Sequence, residues 1–346
     1  MSQTRESRPR LQDVAVRAGV SMKTVSNVIN DFPHVTVHTR ERVMKAIEEL
    51  GYQPNLSARN LARGRSGVIA LAVPELDMPY FAELSRLVLE AAERHGWVVL
   101  IEQTKGRRDH EQRVVSGAFP QRLDGLIFSP VATRISDLRQ RRDTTPLVLL
   151  GEHLSRGPAD HISIDNVAAA RAATEHLISL GRRRIAVIGS SSSGRGASQR
   201  RLEGYKQALT HAGLPIDRSR ILPAATYRGE VGATAMAKLL ELPEPPDAVF
   251  CFTDWLALGA LRTLRLRGYR VPDDVAVVGF DDIPYGRIAT PSLSTISPDK
   301  KQIAELAVDR LAERVGNRRP PEPREIDAGF ELIPRESTLG IPPTAP

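Results

Sequence analysis

Two groups of side chains in this 346-residue chain have types and spacings suited to chemistry. The first is Met22, Lys23, Ser26 and Asn27, which a helix over this stretch would carry on one side. Their end groups fit nucleic-acid bases: a thioether against a thymine methyl, an ammonium for guanine O6 and N7, an amide for adenine N6 and N7. Ser21, Thr24 and Ser26 suit phosphate oxygens. The second group recurs where short apolar runs end. It comprises Tyr80 and Phe81 after Pro79, Asp165 and Asn166 in SIDN, Arg201 in RRLEGY, Asp254 and Trp255 after DAVFCFT, and Asp281 with Asp282 after VAVVGF. Acids, an amide, a guanidinium and aromatic rings are the mixture that holds sugars and nucleosides, hydroxyls on the polar groups and apolar faces on the rings. Each of these residues also has a plainer use, as a helix cap, a surface ion pair or core packing. Adjacent carboxylates at 281 and 282 could serve acid/base catalysis. No Ser/His or Cys/His partner stands at a matching strand end, and the eight histidines show no spacing such as H-E-x-x-H. The residues therefore indicate no enzyme, no metal and no cofactor.

The elements that must present these groups can be read from periodicity. Gln12 to Ala18 has apolar Val14, Ala15 and Ala18 at helical spacing, and Gly19 stands where a helix ends in positive φ. Ser21 is an N-cap for a second helix with an apolar stripe of Val25, Val28 and Ile29, opposite the polar group named above. Thr36 caps a third helix, carrying Val43, Ile47 and Leu50 and stopped by Gly51. These three form a helix-turn-helix unit over 9–54. Residues 55–65, with an Asn55 cap and a basic tail of Arg63 and Arg65, read as a short helix and linker. From Gly67 the pattern changes. GVIALAV, WVVLIEQ, GLIFSP and PLVLLG, then RRIAVIG, DAVFCF and VAVVGF, are strand-like runs separated by amphipathic helical stretches. Two such series give two doubly wound parallel sheets, whose ligands lie beyond the carboxyl ends of the strands.

Composition limits the partners. Residues 1–66 hold 11 Lys/Arg against 6 Asp/Glu, and the remaining 280 hold 37 against 35. The positive charge is thus concentrated on the head, as a polyanion partner for the head alone requires. A single cysteine, Cys251, excludes a disulfide framework and a Cys-rich zinc site. MSQTRESRPR has no apolar core of a signal peptide, and no apolar run reaches membrane-spanning length, so the expected compartment is the cytoplasm, beside the chromosome, with no membrane partner. One G-x-G, Gly194-Arg195-Gly196, lacks the third glycine in register and carries no dinucleotide reading.

DVAVRAGVSMKTVSNVIN, TRERVMKAIEELGYQPN and SARNLA, in this order, resemble the headpiece and hinge of the LacI/GalR family of bacterial transcription regulators, and the resemblance continues to PRESTLG. It implies an all-α helix-turn-helix headpiece followed by an α/β periplasmic-binding-protein-like core of two Rossmann-like lobes over 66–340. The N-lobe would span about 66–164 and 297–327, the C-lobe about 165–296 and 328–340. It implies a regulator, by family habit a repressor, that binds double-stranded operator DNA as a homodimer under control of a small-molecule effector, a sugar or related metabolite. The headpiece residues Ser21, Met22, Lys23, Thr24, Ser26 and Asn27 and the hinge residues Asn55, Ala58 and Leu61 would meet DNA, with Leu61 as a minor-groove wedge. Tyr80, Phe81, Asp165, Asn166, Arg201, Asp254, Trp255 and Asp281 would meet the effector. Two departures are visible: Thr253-Asp254 replaces the family's common Asn-Asp, and Asn27 stands where many relatives carry arginine. The same two-lobed architecture also belongs to periplasmic sugar-binding proteins, so a sugar-binding protein without DNA function is the competing reading.

Overall fold

The computed structural model describes residues 9–29, 32–52, 65–151, 154, 157–191, 196–317 and 321–340. The expected hinge residues Asn55, Ala58 and Leu61 lie outside them. The chain divides into two compact units, Met1–Gly67 and Val68–Pro346.

Among the described residues the first unit has three helices, α1 (Leu11–Ala18), α2 (Met22–Ile29) and α3 (Val37–Leu50). Gly19 ends α1 at φ 63, a left-handed conformation that glycine adopts without steric penalty. The Ser21 hydroxyl then accepts the Thr24 amide at 3.1 Å, so α2 starts within a few residues of the end of α1. Thr36 caps α3 in the same way. Val14, Ala15, Ala18, Val25, Val28, Val43 and Ala46 form the buried core. Arg42 of α3 donates to the Gly19 carbonyl at 3.1 Å, fastening the turn to the third helix.

The second unit contains two six-stranded sheets. One comprises β1 (Val68–Val73), β2 (Val98–Gln103), β3 (Gly125–Phe128), β4 (Leu147–Leu150), β5 (Asp160–Ile164) and β11 (Glu325–Ala328), in the spatial order β11-β5-β4-β3-β1-β2. The other comprises β6 (Ile185–Ser190), β7 (Ile221–Pro223), β8 (Ala248–Cys251), β9 (Ala276–Phe280), β10 (Ser294–Pro298) and β12 (Phe330–Ile333), in the order β12-β10-β9-β8-β6-β7. The two orders correspond strand for strand. Pairing is parallel except between β10 and β12. We call the first sheet with its helices the N-lobe and the second the C-lobe.

Alternation along the strands fills both faces of each sheet. In β1, Ile69, Leu71 and Val73 share a core with Leu84, Val88 and Ala91 of α4 (Pro79–Glu93) and with Ala304, Ala307, Val308 and Leu311 of α12 (Lys300–Arg314). Ala70 and Ala72 face the other way, towards Val114 and Val115 of α5 (Arg108–Val115) and Leu138 of α6 (Ile135–Arg139). In the C-lobe, Val187, Phe250 and Val278 meet α7 (Asn166–Ser179) and α8 (Gly196–His211). Ile188, Val249 and Val277 meet α9 (Gly229–Leu240) and α10 (Asp254–Leu266). The short helices α11 (Pro284–Arg287) and α13 (Glu336–Leu339) complete the elements named here. Helices α7 and α12 are crossovers: α7 follows β5 of the N-lobe sheet and packs on the C-lobe, and α12 follows β10 of the C-lobe sheet and packs on the N-lobe.

Candidate functional site

In both sheets the strand order reverses between the first and third strands, and the groups placed there project from carboxyl ends into a common space. The space is a cavity of about 650 Å³, the size range of small-molecule sites, walled by both lobes. Pro74 and Ser129, after β1 and β3, face it from the N-lobe, and Ser191 and Thr253, after β6 and β8, from the C-lobe.

Arg201 is the best-anchored charge in the wall. Its Nε donates to Asn166 Oδ1 at 2.6 Å, its Nη1 reaches the Phe252 carbonyl, and its guanidinium lies 3.4 Å from the centre of the Phe280 ring. The RRLEGY sequence explains how it arrives there. A Cβ on Gly204 would stand 2.2 Å from the Val167 carbonyl oxygen, so only glycine lets α8 approach α7 this closely. The next residue, Tyr205, is buried and donates its hydroxyl to the Ile185 carbonyl at 2.8 Å. Burial raises the Tyr205 pKa far above its ordinary value, so the phenol stays protonated.

Asp281 and Asp282 both have positive φ, 109° and 48°. That backbone sends neighbouring carboxylates to different surroundings. Asp281 lines the cavity. Asp282 accepts from Arg335 at 2.6 Å, Arg287 at 2.7 Å and Ser297 at 3.2 Å. Burial opposes its charge, yet the hydrogen bonds from Arg335 and Arg287 outweigh that and hold its pKa below the usual carboxylate value. Lys300, buried at the start of α12, ties the turn from behind. Its Nζ donates to the carbonyls of Asp281 and Asp282 at 2.7 and 3.1 Å and meets Glu83 Oε2 of α4 at 2.6 Å.

Of the eight residues expected to meet an effector, Tyr80, Phe81, Asn166, Arg201 and Asp281 line the cavity. Tyr80 and Phe81 pack edge to face at a centroid distance of 5.2 Å. The other three do not line it. The Asp165 carboxylate caps α7, accepting the Ala168 amide at 2.9 Å. Trp255 stands edge-on to Tyr285 at 5.6 Å, away from the wall. Asp254 is fully buried under the Asp281 turn, where Oδ1 accepts from Thr295 at 2.6 Å and Oδ2 from the Ile283 amide at 2.8 Å. Burial pushes its pKa well above the usual carboxylate value, and the Asp281 charge adds to this. Strand-end position alone does not show which acids reach the cavity: helix capping and β-sheet burial claim two of them.

Sequence reasoning also missed wall residues. Ser129, Ser163, Thr226 and Tyr227 line the cavity and have no distinctive local pattern. Glu75 does so too, and it is held by Arg228, which also grips Asp77 at 2.6 and 3.2 Å. This triad joins the turn after β1 in the N-lobe to the residue that precedes α9 in the C-lobe. Glu111 of α5 has no accessible surface. Its carboxylate accepts the amides of Val131, Ala132 and Thr133 at 2.8, 2.9 and 2.6 Å, and the Thr133 hydroxyl at 2.6 Å. It thereby fixes the cavity-lining loop after β3. In the sequence, Glu111 stands out only as an acid on the apolar face of HEQRVV.

In the head, Met22 and Lys23 are exposed, while Ser26 and Asn27 are half-buried on the same helix. Ser21 and Thr24 hydroxyls bond each other at 2.9 Å at its start.

A helix-turn-helix unit followed by two doubly wound lobes around one cavity defines a ligand-responsive DNA-binding protein of the LacI type. The model for bacterial regulatory proteins of the lacI family matches residues 10–55, and that for a periplasmic binding protein-like domain matches 174–338. The HTH-type transcriptional repressor CytR of Escherichia coli strain K12 is 33% identical over 341 residues, 97% of this chain and 98% of that protein. The HTH-type transcriptional repressor PurR of Haemophilus influenzae strain PittEE is 34% identical over 337 residues, 96% and 99%. Among solved structures, the lac repressor dimer bound to operator and the anti-inducer ONPF has a TM-score of 0.83 at 27% identity, covering 96% of this chain and all of that one. The complex of the transcriptional regulator CelR with cellobiose has a TM-score of 0.69 at 33% identity, covering 95% and 100%. The chain belongs to the LacI family of bacterial transcription regulators. The similarity runs through the head, which favours a DNA-binding regulator over a sugar-binding protein without DNA function. Among the described residues, no helix is long and apolar enough to cross a membrane.

Proposed function

We propose that this regulator is a cytoplasmic repressor that holds operator DNA as a homodimer and responds to a carbohydrate or related metabolite bound between its lobes. The observation that carries the sensing half is the cavity wall, where Arg201 and Asp281 face Tyr80 and Phe81. A fixed guanidinium and a carboxylate can bracket hydroxyls while the rings cover an apolar face. Relatives support the same reading: the CelR structure contains cellobiose, and the lac repressor structure contains operator and ONPF. No catalytic step is assigned, in keeping with relatives that are transcriptional regulators.

On DNA, Lys23 and Asn27 read bases, Met22 touches a thymine methyl, and Ser21, Thr24 and Ser26 position the helix on phosphates. One helix-turn-helix reads one half-site, so two heads engage a pseudo-palindrome. Asn55, Ala58 and Leu61 contribute from the hinge, with Leu61 wedged at a central, kinkable step.

Binding-site selection with the full chain tests this directly. The selected sequence is expected to be palindromic, with affinity falling steeply as salt rises. Lys23→Ala and Asn27→Ala are expected to relax preference at separate positions, each losing about 1–3 kcal/mol. A sequence logo unchanged in both variants defeats the assignment of the recognition face. Binding to no duplex above random DNA defeats the operator reading itself.

A further inference from the structure

One corner of the cavity has a surplus of positive charge. Lys105 lies in the turn between β2 and α5, and Arg134 precedes α6; both line the cavity from the N-lobe. The other charged groups of this corner have partners. Arg107 binds Asp109 at 2.8 and 3.1 Å. Arg108 binds Asp137 at 2.8 Å and the Ala132 carbonyl at 3.0 Å. Glu111 is saturated by the 131–133 backbone. The Arg134 amide donates to Asp137 at 2.8 Å, but neither its guanidinium nor the Lys105 ammonium forms an ion pair with a carboxylate among the described residues.

The corner is also rigidly built. Glu111 and Arg108 grip the loop that leads to Arg134 from opposite sides, one taking its amides and the other a carbonyl. Lys105 is held at φ 56, a conformation L-residues avoid. The Lys105 amide bonds the Pro74 carbonyl at 2.8 Å, and a Cβ on Gly106 would sit 3.6 Å from Val131, so the two turns abut. Strained backbone that carries a cation into a cavity points to a ligand for that cation.

The rest of the wall does not neutralise the pair. Lys105, Arg134 and Arg201 line the cavity against two carboxylates, Glu75 and Asp281, and Glu75 is already taken by Arg228. Arg201 is satisfied without a carboxylate, by an amide oxygen, a carbonyl and a ring. Lys105 and Arg134 are both exposed at the edge of the cavity, and a neutral sugar beside them returns no charge. An anionic group returns charge-assisted hydrogen bonds to both.

We propose that the ligand of this cavity is an acidic carbohydrate whose carboxylate or phosphate ester lies between Lys105 and Arg134 while its ring covers Tyr80 and Phe81. This rests on the carbohydrate reading above, and its test separates the two. Calorimetry on the full chain uses matched sets: glucose, glucuronate and glucose 6-phosphate, then cellobiose and cellobionate. Acidic members are expected to bind at least tenfold more tightly than their neutral partners, and the Lys105→Met/Arg134→Met double variant is expected to lose that preference. Glucuronate against glucose 6-phosphate distinguishes a carboxylate from a phosphate ester. Tighter binding of the neutral members, or a preference that survives in the double variant, overturns the proposal. Inorganic phosphate at constant ionic strength is the second probe. If no saccharide binds, yet phosphate raises the unfolding temperature of the wild type and not of the double variant, the anionic corner stands and the carbohydrate reading falls. If phosphate acts equally on both proteins, the corner falls.

Discussion

The two lobes share one topology, and their crossover helices begin alike. Asp165 and Asp299 occupy corresponding positions, with φ/ψ of −73°/86° and −72°/78°, and each caps its helix through the side chain. The residues that follow differ. Asn166 holds Arg201 of α8 at 2.6 Å, and both line the cavity. Lys300 holds Glu83 of α4 at 2.6 Å together with the carbonyls of Asp281 and Asp282, and is only 6% exposed. Asn166 is just as buried, at 1%, but its pair borders the cavity, whereas the Lys300 pair lies off it and ties the Asp281 turn of the C-lobe to a helix of the N-lobe. The C-lobe strand ends repeat the contrast, with Asp281 bordering the cavity and Asp254 enclosed below it. The backbone device is therefore shared, and the partner that each polar group finds decides between recognition and cohesion.

If the Lys300 pair serves cohesion, Lys300→Met should lower unfolding stability by about 2–3 kcal/mol, below the full cost of breaking a buried pair because Glu83 keeps some water access. Urea unfolding checks this. A destabilisation near zero would mean that Lys300 makes no net contribution to the junction. The cavity-lining groups should behave in the opposite way. Asp281→Asn and Arg201→Lys are expected to weaken the best-binding saccharide of the panel by about 10- to 100-fold, the equivalent of a charge-assisted hydrogen bond of about 1.5–3 kcal/mol. Operator affinity of the ligand-free protein should change little. Calorimetry and a gel shift on the same samples measure both sides, and equal losses in DNA binding would make these residues structural.

The comparison also explains what the sequence reveals. Local periodicity is complete information for the head: Gly19, Ser21 and the Val25/Val28 stripe define the turn and the outward face without reference to distant residues. The strand runs and the doubly wound class were legible for the same reason, since alternating burial leaves continuous apolar runs. The cavity was legible only in part. Tyr80, Phe81, Asn166, Arg201 and Asp281 stand at strand ends that converge. Asp165, Asp254 and Trp255 stand at strand ends as well, but local capping, burial below a neighbouring turn and a ring contact across α11 remove them from the wall. Glu83, Glu111 and Lys300 act across more than 19 positions of chain or between lobes, so their partners are set by packing that no local pattern encodes.

A smaller effect concerns the mouth of the cleft, where Arg228 bridges the lobes by way of Glu75 and Asp77. Hydrogen bonding from Arg228 holds the Asp77 pKa below its usual value, so the bridge is charged at neutral pH. This bridge is exposed, and it closes on residues of both lobes. Arg228→Ala should speed both entry and release of the saccharide by about two- to fivefold, in line with about 0.2–1 kcal/mol for exposed ion pairs. Added salt should do the same for the wild type and not for the variant. Stopped-flow rates that salt accelerates equally in both proteins would remove the bridge from the closing step.

A final test asks whether Asp254 is sealed as a neutral acid. Burial raises its pKa well above the carboxylate range, with the charge of Asp281 and then Asp282 adding to the rise, while Thr295 and the Ile283 amide oppose it. In the unfolded chain the group titrates near its ordinary value of about 3.9. Below that pH it is protonated in both states and costs nothing. Above it the unfolded chain ionises while the folded protein keeps the proton, so this residue's contribution to stability falls as pH rises, until the folded pKa is passed. Asparagine has the same shape and does not titrate. Its oxygen can accept the Ile283 amide, and its NH2 can donate to Thr295, which already reaches the Ile296 carbonyl at 3.2 Å. Asp254→Asn should therefore match the wild type near pH 4 and gain on it steadily towards pH 8, with saccharide affinity unchanged. Urea unfolding at three pH values measures the difference. A gap that shrinks with pH would mean the carboxylate is ionised and held by its neighbours. The line between cavity-lining and enclosed acids would then have to be drawn by charge rather than by burial.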